Sequence, residues 1–187
     1  MRSLLLIPLA ALVLLSGCAQ HDHHSHASGV RAAIATTPEA KAAWEKLRTL
    51  EGEWEGQHPE TGAWMPSASM KVSSNNSVLR ELMFPGSAHE MTNMYHLDGD
   101  RVVLTHYCGM GNQPRLASRG LQPSPQGETL HFTIDSVSNL ADAQGMFMGD
   151  LLVTFRPDGT ISQNWRSYDK GVLSDAHSVE IVLRRRK

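Results

Sequence analysis

From Gly52 to the C-terminus, apolar and polar residues alternate in short runs, and turn dipeptides such as Asn75-Asn76, Asp98-Gly99 and Lys170-Gly171 separate the runs. A period of two puts successive side chains on opposite faces of a strand, so each run buries one face and wets the other. The pattern predicts strands over 53–58, 67–74, 77–84, 89–97, 101–108, 114–122, 129–135, 149–156, 160–168 and 176–185. Further turns at Pro125-Gln126-Gly127 and Pro157-Asp158-Gly159 keep the connections short, which makes sequential strands antiparallel. About ten such strands close most readily into a barrel, because closure removes the exposed edges of a sheet. One helix precedes them. Thr37 is its N-cap, Pro38 its first residue and Glu39 an acid in its first turn; Ala43, Trp44, Leu47 and Leu50 recur at helical spacing before Gly52. The expected fold over 37–187 is therefore mainly β: an antiparallel up-and-down barrel of about ten strands with one short N-terminal helix, and no internal repeat or second domain.

The first residues read differently. Met1-Arg2-Ser3 is a short basic start, and Leu4 to Leu15 is an apolar run of twelve residues. A membrane span needs about 20, whereas a secretory signal core has this shorter length. Leu15-Ser16-Gly17-Cys18 follows and resembles the lipobox of bacterial lipoproteins. That resemblance implies a signal peptide over 1–17, cleavage before Cys18, and acylation (palmitate among the chains) of Cys18. Several acyl chains hold a protein firmly on a bilayer, at about 0.8 kcal/mol per buried methylene. Residue 19 is Ala, which by the same resemblance favours the outer membrane, with the domain facing the periplasm.

Cysteine usage fits this picture. The chain has two Cys; with Cys18 committed to lipid, Cys108 has no partner for an intramolecular disulfide. The segment 18–36 reads as a tether. Within it, His21, His23, His24 and His26 are borderline-soft imidazoles that can take up Zn, Cu or Ni, and they can equally be a solvated spacer. Basic and acidic residues number 17 and 19, for a net charge of −2, so nucleic-acid binding is not expected. A monomer is expected.

Leu47-x-x-Leu50-x-Gly52-x-Trp54-x-Gly56 resembles the opening motif of calycin-type barrels, the broad lipocalin-like group. The stretch Tyr95-His96-Leu97-Asp98-Gly99-Asp100, with Leu104-Thr105-His106-Tyr107-Cys108 and Gly111-Asn112-Gln113-Pro114-Arg115, resembles a family of bacterial calycin-like lipoproteins whose domain has no assigned function. Nitrobindin-like haem-binding barrels are more distant in appearance. The resemblance implies that Trp54 plugs the barrel floor and that Gly56 lets the first strand bend. It also makes His177, on the last strand, the haem ligand if haem binds; nothing else in the sequence calls for haem.

Alternation across the Asp98-Gly99 hairpin puts Met91, Asn93, Tyr95, Leu97, Val102, Leu104, His106 and Cys108 on one face. This face is the more apolar and is expected inside; the reverse assignment would bring His96 and Tyr107 in. His106 then reads either as a core histidine satisfied by Asn93 or Arg115, or as an acid–base group. Arg115 and Arg119 share a face of the next strand, either inward as a carboxylate fork or outward in ion pairs. Trp165 shares a face with Ile161 and Gln163, as core wall or as a surface for a ligand. The loop Ser136–Gly149 carries Leu140, Met146, Phe147 and Met148, which can cap a pocket or fold onto the core. The basic end Arg184-Arg185-Arg186-Lys187 is expected to be solvated or to touch anionic lipid.

The leading expectation is a lipid-anchored barrel that binds a small, partly apolar ligand through Asn93, Tyr95, His106, Arg115, Arg119 and Trp165. Two alternatives stand beside it: an enzyme using His106 as acid or base, and an envelope scaffold with no small ligand. No Walker loop, paired-Cys zinc motif or dinucleotide-binding Gly loop is present.

Overall fold

The alternating runs become strands in the computed structural model, which describes residues 36–58 and 60–187. Helix α1 spans Pro38–Arg48. Eleven strands follow: β1 Gly52–Gln57, β2 Trp64–Ser73, β3 Val78–Met83, β4 Met91–Asp98, β5 Arg101–Tyr107, β6 Gln113–Ser118, β7 Gln122–Ser124, β8 Gly127–Ser138, β9 Phe147–Phe155, β10 Ile161–Asp169 and β11 Val172–Arg185. Every pairing between neighbours is antiparallel. β1 pairs with β11, and β6 pairs with β8, so ten strands close into a barrel while the three-residue β7 lies outside it as an extra strand on β8. Residues at the tight turns, including Asn75, Asn76, Gly99, Gly159 and Gly171, have positive φ, which is why Asn and Gly occupy them.

Helix α1 is built as its sequence suggests. The Thr37 hydroxyl accepts from the Ala40 N–H at 3.2 Å, Pro38 opens the first turn, and Thr49 is the C-cap. Its stripe of Ala43, Trp44 and Leu47 joins the barrel core beside Trp54, so the helix closes one end. The Trp54 indole donates to the Leu50 carbonyl at 2.8 Å, fixing the chain between helix and barrel. At Gly56 an added Cβ would lie 2.7 Å from Ser67 Oγ, a close approach that only glycine permits.

Cross-strand register stacks the interior in layers. Leu79, Tyr95, Leu104 and Leu116 are successive partners on β3, β4, β5 and β6. Together with Leu130, Phe132, Leu151 and Val153 they fill the half nearer the helix. One step up, Glu81, Asn93 and His106 are partners across β3, β4 and β5. Above them Met83 pairs with Met91 at the end away from the helix. The inward face of the β4–β5 hairpin is therefore the one carrying Asn93, Tyr95, Leu104 and His106, whereas Tyr107 is exposed.

The basic end Arg184-Arg185-Arg186-Lys187 is exposed, as expected, and two of its residues also make contacts. Arg184 pairs with Glu55 at 3.0 Å and stacks over Trp64, and Arg185 lies over Trp54 and donates to the Glu51 carbonyl. Guanidinium planes pack on indole faces, so these two residues belong to the barrel wall.

Candidate functional site

Five polar or amphipathic side chains meet inside the barrel, each at most 2% exposed: Glu81, Asn93, Tyr95, His106 and Gln163. Glu81 is the hub. Its Oε2 accepts from Asn93 Nδ2 and from the Tyr95 hydroxyl, both at 2.8 Å, and its Oε1 accepts from Gln163 Nε2 at 2.7 Å. Burial pushes the Glu81 carboxyl above its ordinary value, against the three hydrogen bonds that favour the charged form. Burial, and then the neighbouring Glu81, hold the Tyr95 phenol well above its usual range, so it stays a donor.

The direction of these bonds fixes His106. Because the Asn93 amide nitrogen donates to Glu81, its carbonyl oxygen faces His106 Nδ1, 2.7 Å away. A neutral imidazole must then carry its proton on Nδ1 and present a lone pair at Nε2. Burial lowers the His106 pKa from 6.5 to about 4, so the ring is neutral at physiological pH. Trp165 packs against the imidazole with ring centroids 4.9 Å apart, and its indole N–H points to Gln163 Oε1 at 3.4 Å. Among the described residues, no protein group hydrogen-bonds His106 Nε2.

His106 and Trp165 form the floor of a pocket of about 230 Å³ that opens at the end of the barrel away from α1. Four methionines, Met83, Met91, Met110 and Met148, line it with Cys108, and Phe84, Val179 and Ile181 complete the wall. Sulfur and hydrocarbon therefore form nearly all of its surface. Phe84 also borders two neighbouring hollows of about 540 and 450 Å³ and has φ 51°, a conformation costly for a bulky side chain. Such strain persists only where the surroundings enforce it, and here the Phe84 N–H is held by the Ser67 carbonyl at 2.8 Å. Asn112 ties two rim connections together: its carbonyl accepts from the Cys108 N–H at 3.1 Å and its side chain donates to the Met146 carbonyl at 3.4 Å. It thus anchors the loop that delivers Met148.

The structure brings Asn93, Tyr95, His106 and Trp165 together and leaves the other expected residues elsewhere. Arg115 faces outward, paired with Asp98 at 2.9 Å and Asp135 at 3.1 Å. Arg119 is largely exposed and pairs with Asp100. The inward carboxylate fork is thereby corrected: on β6 the inner positions are Pro114, Leu116 and Ser118, and the arginines occupy the alternate face. Arg119 also borders an outer-wall hollow of about 390 Å³, next to Arg101, His131 and Asp135. Arg101 is paired with Asp98 and Asp135 and His131 with Asp150, so that hollow presents no free cation.

His177 is exposed and does not line the pocket. Trp165 pairs with Val179 but Ser167 pairs with Ser174, so residues 175–178 bulge out of β11 and the alternation is broken there. Haem ligation through His177 does not fit this geometry. Cys18 and His21, His23, His24 and His26 lie outside the described residues.

Two members of the network were not singled out from the sequence: Glu81 and Gln163. Each carried a signal, since Glu81 stands between Leu79 and Met83, and Gln163 between Ile161 and Trp165, on otherwise apolar faces. Comparison with models of known protein families gave no match, and comparison with curated proteins gave none either.

Proposed function

We propose that the chain is a lipid-anchored envelope protein, held at the membrane by an acylated Cys18 and facing the periplasm, whose barrel binds a small, partly apolar ligand at its open end. The observation that supports binding most directly is the pocket above His106. A well-formed apolar hollow with one convergent polar group is the usual form of a small-molecule site. This one falls just below the common range of about 300–1,000 Å³, which suits a small ligand. Its methionine lining adapts to varied shapes. The support for the anchor is the resemblance of Leu15-Ser16-Gly17-Cys18 to a lipobox.

The Glu81–Asn93–His106 chain would also orient His106 for proton abstraction, which is the second reading. On the pocket wall only His106 and Cys108 carry groups suited to such chemistry, and this favours binding over catalysis.

Displacement of a neutral apolar dye, N-phenyl-1-naphthylamine, tests the binding reading. The full chain should enhance its fluorescence, and Met91→Trp, which fills the pocket, should abolish the enhancement without lowering the melting temperature. Equal dye binding by the two proteins would place the ligand elsewhere.

A further inference from the structure

The pocket's electrostatics restrict what it accepts, an argument that rests on the ligand-binding reading above. No Lys or Arg lines it, and none of its wall residues is acidic. The nearest buried carboxyl, Glu81, stands behind the wall with its oxygens occupied by Asn93, Tyr95 and Gln163. Arg115 and Arg119 sit on the outer surface, each paired with aspartate. A ligand carboxylate would thus lose its hydration and find neither a cation nor a donor, a penalty of several kcal/mol for a buried ion, and an ammonium would find no counter-charge.

One polar atom remains. His106 is 2% exposed, its Nδ1 is committed to Asn93, and Nε2 has no protein partner. As a lone pair it accepts and does not donate. A site built to hydrogen-bond a hydroxyl discriminates against the analogue lacking it, because the site's own polar group is then left unpaired.

We infer that the pocket selects uncharged molecules with an apolar body and a single hydrogen-bond donor, the alcohol and phenol class, whose hydroxyl donates to Nε2 of His106 while the hydrocarbon lies among Met83, Met91, Met148 and Trp165. Fatty-acid carboxylates are rejected, in contrast to barrels that hold an inward arginine.

Calorimetric titration with three near-isosteric compounds, octan-1-ol, heptyl methyl ether and octanoate, tests this. The protein is the mature chain 18–187 carrying Cys18→Ser, without the apolar run Leu4–Leu15, so that no acyl chain or detergent takes up the octanol. At pH 7.5 octanol should bind about tenfold more tightly than the ether, the worth of one hydrogen bond to a buried acceptor, and octanoate more weakly still. Lowering the pH to 5.5 should strengthen octanoate, because its neutral form is itself a hydroxyl donor, and should leave octanol unchanged. The titratable groups near the ligand are His106 and Cys108 on the wall, with Glu81 and Tyr95 behind; His106 takes up its proton only near about 4. His106→Phe should bring alcohol and ether to equal affinity. Should that variant fail to fold, the wild-type series still decides. Equal binding of octanol and ether by the wild type would overturn the inference while leaving the pocket as a binding site, and so would preference for octanoate at pH 7.5. Silence from all three compounds would overturn the binding reading as well.

Discussion

His106 holds a low proton affinity because nothing around it compensates a buried imidazolium, and that has a consequence for stability. The unfolded ring takes a proton at about 6.5, the folded ring only near about 4. As pH falls through this window the unfolded state binds the proton first, so stability is present above 6.5, declines below it, and is fully lost below about 4. The gap corresponds to roughly 3 kcal/mol. Glu81 acts in the opposite sense: its raised pKa stabilises the fold at low pH and the contribution is lost as pH rises through the folded value. His106→Gln keeps a donor toward Asn93 and does not titrate, while Glu81 is common to both proteins. The urea midpoint of the wild type should therefore drop relative to the variant between pH 6.5 and 4; parallel decline would show that His106 is not the group responsible. At this scale the sequence was partly legible. Alternation across Asp98-Gly99 placed Asn93, Tyr95 and His106 inside, because side-chain period and hairpin parity are local properties. Glu81 and Gln163 were not read as their partners. Glu81 and Gln163 are 82 positions apart and meet only when the barrel closes, and no local pattern encodes that closure.

Each of the ten barrel strands coincides with an alternating run, since alternation and turn chemistry both act over a few residues. Departures occur where another constraint intervenes. The run read as 114–122 ends at Ser118, and after a break at 119–121 Gln122–Ser124 pairs with β8 as the separate strand β7. The loop read from Ser136 begins later, because β8 continues to Ser138 beside β6. At the start of β8, Gly127 has φ 134°, and a Cβ there would lie 2.1 Å from the Phe155 carbonyl oxygen. Backbone of β9 occupies the space of a side chain, so Gly127→Ala must displace a strand. Its cost should reach the upper end of the usual range of about 0.5–3 kcal/mol, lowering the melting temperature by roughly 6 °C or more. Gly159 is a matched control: its φ is 84° but nothing lies within 4 Å of the added Cβ. Gly159→Ala should cost only the conformational penalty of roughly 1 kcal/mol. Equal melting temperatures for the two variants would show that the close approach at Phe155 is not what demands glycine.

At the scale of the whole molecule, the barrel is filled at the helix end and hollow at the other, so packing and binding are divided along its axis. The apolar layers around Leu104, Phe132 and Leu151 give the fold its stability, and the methionine rim is spared that task. The expectation of metal at the tether is separable from both. Among the described residues no group of three or more His, Cys, Asp or Glu is placed to hold a metal ion. The candidate ligands for Zn, Cu or Ni remain His21, His23, His24 and His26, which lie outside the described residues. Neutral imidazoles are required, so uptake should weaken as pH falls through about 6.5. Imidazole is a good ligand for all three metals, so the cluster should discriminate poorly between them. Deleting residues 20–27 should abolish retention on immobilised Ni and leave the barrel's melting temperature unchanged. Retention at equal strength after the deletion would transfer the ligands to the barrel. The rim sulfurs beside His106 would be the first place to look, and Cu would then be preferred over Zn, because thioether and thiolate donors favour the softer ion.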